Sequence, residues 1–294
     1  MANERRWSCA VMQVDSMRFE TVSVGRIDVE SPGFDKFLFT FRRDTDALAE
    51  SIAQVGVIAP VVLRHDGAAL RIVCGYSRAM AVRRLSLGEM PACVFEADEL
   101  SDVQAMLLSL HDNAWSRGFN PIEAGMALSK FRAAGYSEDE VVNRIAPVVG
   151  VTPSPVTVAR YVSLLRLPEE AKIALCAEDI ELPQAFLLAE LGEQEASAAF
   201  QALFVRCKLN INEAKEVVQH LSDLVQQLGM TMAGLLQKPE ATAVLGGSGM
   251  NKVQRGNALR RLVRSWRFPV LTEQERRASA LCRALSNVPG LHVT

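Results

Sequence analysis

The side chains most able to do chemistry in this 294-residue sequence are cations gathered at one end. Residues 251–294 carry nine Lys and Arg against two Asp and Glu, a local net of +7, while the preceding 250 residues carry a net of −9. In that tail Leu259, Leu262, Val263 and Trp266 recur at i, i+3, i+4 and i+7, with Arg260, Arg261, Arg264 and Arg267 between them. The spacing predicts an amphipathic helix with one apolar stripe and one cationic face. Such a face could meet nucleic-acid phosphate, lie on an acidic membrane surface, dock a protein partner, or be the solvated side of a packed terminal helix. Covalent and metal chemistry have no comparable cluster. The six cysteines (9, 74, 93, 176, 207, 282) show no C-x-x-C spacing. His65, His111, His220 and His292 have no ligand spacing among themselves or with the cysteines, so no structural metal is expected. No nucleophile–His–acid set can be placed. A cytoplasmic chain with reduced thiols is the simplest reading. The longest apolar run is far short of the ~20 residues of a membrane span, and no signal peptide is visible.

These residues need elements to hold them. Hydrophobic residues make up 49% and charged residues 22%, an ordinary globular mix. Strands are expected over 61–64 and 70–74, joined through Asp66-Gly67, a hairpin signal between two apolar runs. A helix over 77–87, a strand over 91–95 and a helix opened by Ser101-Asp102 follow. Beyond Asn120-Pro121 the strand signals end. Helices are expected over 121–133, after Ser137 with Glu140 three residues on, over 156–165, and near 183–191, 194–206 and 212–228. Leu245-Gly246-Gly247-Ser248-Gly249 reads as a linker ahead of a basic helix starting near Asn251.

Four stretches carry a pattern: Gly56-Val57-Ile58-Ala59-Pro60, Val73-Cys74-Gly75-Tyr76-Ser77-Arg78-Ala79, His111-Asp112-Asn113 and Phe119-Asn120-Pro121-Ile122-Glu123. In order and spacing they resemble the N-terminal domain of ParB-type partition proteins of the ParB/sulfiredoxin superfamily. That family's motifs run G-x-x-Q-P, G-E-R-R-x-R-A and E-N-x-x-R ahead of N-P-I-E. Tyr161-Val162-Ser163-Leu164-Leu165-Arg166-Leu167-Pro168 and Leu209-Asn210-Ile211-Asn212-Glu213 are similar to the end of the ParB helix-turn-helix and the helices after it. The resemblance covers residues 20–228. It implies an α+β fold class: a ParB/sulfiredoxin-like N-terminal domain over 1–118, then an all-helical helix-turn-helix bundle over 119–228. Residues 229–294 remain as a basic helical C-terminal region outside it.

The resemblance also implies a site. The family binds CTP with Mg²⁺, which would place Gly56, Pro60, Gly75, Arg78, Asn113 and Asn120 around the nucleotide, with Asp112 and Asn113 holding the metal through it. The sequence departs from the motifs at Ala59 for Gln, Tyr76 for Glu, Ser77 for the first Arg, and Ser116 in the last Arg slot with Arg117 one residue later. A phenol cannot stand in for a carboxylate base at neutral pH, so the pocket reads as degenerate and CTP hydrolysis is not expected. The plainer alternative is that Gly75 is a tight turn and Arg78 a capping residue. In sulfiredoxin the catalytic Cys follows the motif glycine. Here Tyr76 holds that slot, and strand alternation would turn Cys74 to the opposite face.

For DNA, the helix-turn-helix reading puts Thr152, Ser154, Thr157, Arg160 and Tyr161 on the outer face, with Val158, Val162 and Leu165 inward. Arg160 could reach a guanine edge or a phosphate. Residues 121–180 hold six basic and eight acidic side chains, so charge arithmetic assigns most DNA affinity to Arg260, Arg261, Arg264 and Arg267, and sequence preference to the helix-turn-helix. The expectation is a ParB-like DNA-binding protein of partition, segregation or related regulation, and not an enzyme in the ordinary sense. Two alternatives stand beside it: a nucleotide-using enzyme of the superfamily, nuclease-like or a small-molecule kinase, and an adaptor that has lost DNA binding. A homodimer, and a protein partner for the basic helix, stay open.

Overall fold

The computed structural model describes residues 18–42 and 45–286, with side chains to Cys282; Cys9 and His292 lie outside the described residues. The chain divides into two compact units between Val162 and Ser163.

The first unit is built on a mixed sheet of β1 (Arg18–Ser23), β2 (Ile27–Asp28), β3 (Val61–Asp66), β4 (Ala69–Cys74) and β5 (Glu89–Phe95), in the order β1-β5-β3-β4-β2. The expected hairpin is β3–β4, turning through Gly67-Ala68 with φ +64° at Gly67, a value that costs glycine little. Around it lie α1 (Asp46–Val55), α2 (Tyr76–Arg84), α3 (Asp102–Ser116), α4 (Pro121–Ala133), α5 (Glu138–Glu140) and α6 (Pro155–Ser163). Strand alternation feeds two cores. Ala92 and Val94 join Val61, Leu63 and Ile72 in a cluster closed by Ile52 of α1 and Val82 of α2. Cys93 and Phe95 join Phe39 and Val73 in a second, closed by α3 and the helices after it. Each large side chain buried this way contributes about 1.5–3 kcal/mol. Phe131, Ile145 and Val158 belong to that second cluster, so the domain boundary expected at 118/119 runs through one continuous core.

Local signals explain the helix starts. Ser101/Gln104, Asn120/Glu123 and Ser137/Glu140 form reciprocal capping boxes at α3, α4 and α5. After α5 the chain continues in wider π-type turns over Val141–Ile145, which reach α6 by way of Gly150 at φ +74°.

The second unit holds α7 (Glu169–Cys176), α8 (Leu182–Ala189), α9 (Glu193–Phe200), α10 (Ile211–Leu228), α11 (Met232–Leu236), α12 (Pro239–Gly246), α13 (Lys252–Arg267) and α14 (Pro269–Ser286). The expected linker is short, since α12 extends to Gly246 and Asn251 already caps α13. The α13 stripe packs on α10, with Leu259 and Val263 fully buried and Leu262 and Trp266 half-buried. Gly256 makes the approach possible, because a Cβ there would sit 2.6 Å from Leu209 Cδ2. No described helix is long and apolar enough to cross a membrane.

Candidate functional site

A cleft of about 460 Å³ opens in the first unit where β4 ends and α2 begins. The pairing of β3 with β4 is irregular here: Val62 faces Cys74 but Leu63 faces Ile72, leaving Val73 as an extra residue. The bulge turns Val73 and Cys74 into the same core cluster and brings both to the cleft. The expectation that Cys74 faces away is therefore corrected; alternation fails where the strand bulges. Burial, reinforced by the Asp112 carboxylate, pushes the Cys74 thiol far above its ordinary value, so it stays protonated at neutral pH.

Gly75 follows at φ +90° and starts α2, with no side chain capping the helix. A Cβ on Gly75 would lie 2.9 Å from both Arg78 Nη2 and Val61 Cγ1, so neither the dihedral nor the space admits another residue without movement. Arg78 Nη1 donates to the carbonyls of Ala59 (2.6 Å) and Pro60 (2.8 Å). Tyr76 and Ser77, at the first turn, complete this wall.

The opposite wall is α3. Ser109, Asp112, Asn113 and Ser116 recur at i, i+3, i+4 and i+7 and line the cleft, a polar stripe on one helix face. Arg117 closes its end. Its Nε donates to Asn113 Oδ1 (2.9 Å), Nη1 to Glu123 Oε2 (2.9 Å) and Nη2 to the Phe39 carbonyl (3.0 Å). Glu123 is wholly buried and also accepts from the amides of Phe41 and Asn120. Arg117 was legible as an arginine one place from its motif slot, and Glu123 as the last residue of N-P-I-E, but nothing in the sequence paired the two.

Gly75, Arg78, Asp112 and Asn113 thus meet at one cleft. Gly56, Pro60 and Asn120 do not line it. Gly56 ends α1 at φ +75°, Pro60 contributes a carbonyl to Arg78, and Asn120 caps α4. They entered the expected set as motif residues, Gly56 and Pro60 of G-x-x-Q-P and Asn120 of N-P-I-E; in the structure each has a local backbone task.

On the helix-turn-helix, Thr152 and Arg160 are exposed, and Ser154 and Thr157 are half-buried. Tyr161 is corrected: it packs against the cluster containing Phe131, and burial raises its hydroxyl pKa. Val156, 69% exposed, takes a place on the outer face that sequence reasoning did not assign.

Three of the tail arginines enter ion pairs that the sequence did not predict. Arg260 binds Glu216 (2.6 Å) and Glu213 (2.8 Å), Arg267 binds Asp223 (3.0 Å), and Arg264 binds Glu275 (3.0 Å). Arg261 is exposed and donates to the Asn257 carbonyl. Carboxylates of α10 and α14 occupy a face that charge arithmetic had left open.

Family models match in two places: the ParB N-terminal domain over residues 35–113 and the ParB HTH domain over residues 117–223. A probable chromosome-partitioning protein ParB of Pseudomonas putida is 32% identical over 190 residues, covering 62% of each chain. One from Coxiella burnetii is 30% identical over 198 residues, covering 66% of this chain and 64% of the relative. A nucleoid occlusion protein of Shouchella clausii is 28% identical over 173 residues, 58% of each chain. The matched part therefore spans less than two thirds of these relatives. A solved C-terminally truncated ParB from Caulobacter crescentus, complexed with CTP-γ-S, aligns over 61% of this chain and 97% of that one at 23% identity and TM-score 0.29, too low for the whole chains to superpose. Carrying both ParB domains in consecutive order over residues 35–223, the chain belongs to the ParB family.

Proposed function

We propose that this chain is a cytoplasmic DNA-binding partition protein of the ParB type, whose cleft binds a nucleoside triphosphate, CTP by family pattern, without turning it over. One observation carries the nucleotide reading. The start of α2 has no side-chain cap, and Arg78 beside it is held by two neutral carbonyls that leave its charge in force. Backbone N–H groups, the helix dipole and a guanidinium converge there on any anion, which suits phosphate. A volume of 460 Å³ lies in the range of small-ligand sites. Asp112 would hold the accompanying Mg²⁺ with the phosphates, and the ion would screen their charge. Asn113 Oδ1 already accepts from Arg117, so its part is to steer that arginine. Tyr76 supplies no carboxylate base at the α2 turn, and Asp112 is the sole carboxylate among the described lining residues.

DNA contact falls to Thr152, just ahead of α6, and to Val156 and Arg160 on its outer face. The cationic face of α13 commits Arg260, Arg264 and Arg267 to ion pairs with α10 and α14, and the exposed Val270, Leu271 and Leu281 of α14 suit a second copy or a protein partner. The two relatives at 30–32% identity are named for chromosome partition, which favours that role over nucleoid occlusion. The test is to recover genomic fragments bound by the full chain, then titrate it with each nucleoside triphosphate with and without the recovered DNA. An enriched site and saturable binding of one triphosphate without phosphate release support the proposal. Absence of an enriched site overturns the DNA part, and absence of any triphosphate binding overturns the cleft part.

A further inference from the structure

The hydroxyl of Ser109 is the unexplained atom of the cleft. Ser109 is wholly buried on α3, lines the cleft, and its Oγ has no hydrogen-bond partner among the described residues. A buried hydroxyl without a partner costs free energy that alanine, a better helix former, would not. Its neighbours at i+3 and i+4 are Asp112 and Asn113, so the hydroxyl continues the polar stripe inward. The other buried residues of the lining, Leu38, Val73 and Cys74, are apolar, so the inner end of the cleft is otherwise apolar.

We infer that Ser109 determines specificity, its hydroxyl hydrogen-bonding the uncharged nucleoside part of the ligand. The inference rests on the nucleotide reading of the cleft. Charge decides which part goes inward. The anionic end is drawn to the α2 start and Arg78. A phosphate set against the buried Val73 and Cys74 would instead lose its water to apolar walls. A base or ribose buries apolar area there and brings the polar group that Ser109 lacks.

The experiment compares the full chain with Ser109→Ala by calorimetry, using CTP, UTP, ATP, GTP and inorganic tripolyphosphate, alongside thermal unfolding without ligand. Expected are an unfolding midpoint equal to or above that of the parent, and about a tenfold loss of affinity for the preferred triphosphate. Tripolyphosphate affinity should stay within about twofold. Unchanged triphosphate affinity in Ser109→Ala overturns the inference while leaving the nucleotide reading intact. Equal losses for tripolyphosphate and nucleotide also overturn it, since Ser109 would then act on phosphate. If the parent chain binds no triphosphate at all, the nucleotide reading fails first and takes this one with it. Ser109→Cys, nearly isosteric with a weak donor, should fall between the two, which separates a hydrogen bond from a packing effect.

Discussion

Arginines of the cleft and arginines of α13 are held in opposite ways. Arg78 is fixed by the carbonyls of Ala59 and Pro60, groups with dipoles and no net charge. Arg260, Arg264 and Arg267 are fixed by Glu213, Glu216, Glu275 and Asp223. Both arrangements order a long side chain, but only the first leaves its positive charge to act on something else. A count of charges along the sequence ranks the tail far above the first unit as an anion-binding region; a count of partners reverses the ranking. Arg117 lies between the extremes, bonded to the buried Glu123 on one side and to neutral groups of Phe39 and Asn113 on the other.

The comparison can be broken at several points. The largest effect is expected at the mixed case. Glu123→Ala leaves Arg117 and the Phe41 amide without their buried acceptor and should cost about 3 kcal/mol in denaturant unfolding. A loss under about 1 kcal/mol would mean that water replaces the carboxylate. Next is Arg78→Ala, which removes a charge-assisted contact and should weaken triphosphate binding by about 10–100-fold. Undiminished affinity would take Arg78 out of the site. Third, replacing Arg260, Arg264 and Arg267 together by Gln should change the slope of log K against log salt for DNA by less than about one unit, because those cations are already neutralised. A fall of about three units would show that DNA displaces the carboxylates and would restore the tail as the main phosphate contact. Arg160→Ala, by contrast, should narrow discrimination between the recovered site and random DNA by about 1–3 kcal/mol if it reads a base. The smallest effect concerns acid. Asp223 is held below its ordinary value of 3.8, first by its hydrogen bond from Arg267. That pair contributes fully above pH 3.8 and is lost as the pH falls through the lowered value. Asp223→Asn should flatten the acid side of the stability curve in that range, and an identical curve would mean that the pair contributes nothing.

Much of the fold was legible because its signals are local. Ser101, Asn120 and Ser137 each precede Gln or Glu by three residues, and each proved to be a capping box. Asp66-Gly67 marked the hairpin that forms the middle of the sheet. Strand β1 and helix α1 gave weaker signals. Phe19 on β1 is 69% exposed, so its alternation runs against a buried face, and α1 buries only Ala49 and Ile52. The site was legible as a set of types, Gly75, Arg78, Asp112 and Asn113, but not as a geometry. The bulge at Val73 that reorients Cys74, and the orphan hydroxyl of Ser109, depend on registry between strands and on depth, which a linear reading does not contain. The ion pairs of the tail were hidden for the same reason. Glu213 and Glu216 lie more than 40 residues from Arg260 in sequence and within 3 Å of it in space.

The two walls of the cleft grow from different halves of the interior. Helix α2 is rooted in the cluster with Val61 and Ile72, and α3 in the one with Val73 and Phe95, on the other side of the sheet. A molecule held by both walls is therefore a rivet driven through a laminate. It couples layers that could otherwise loosen one at a time, so occupancy should merge their opening into a single event. Amide exchange in α2 and α3, expected to proceed at separate rates in the empty protein, should then slow in step.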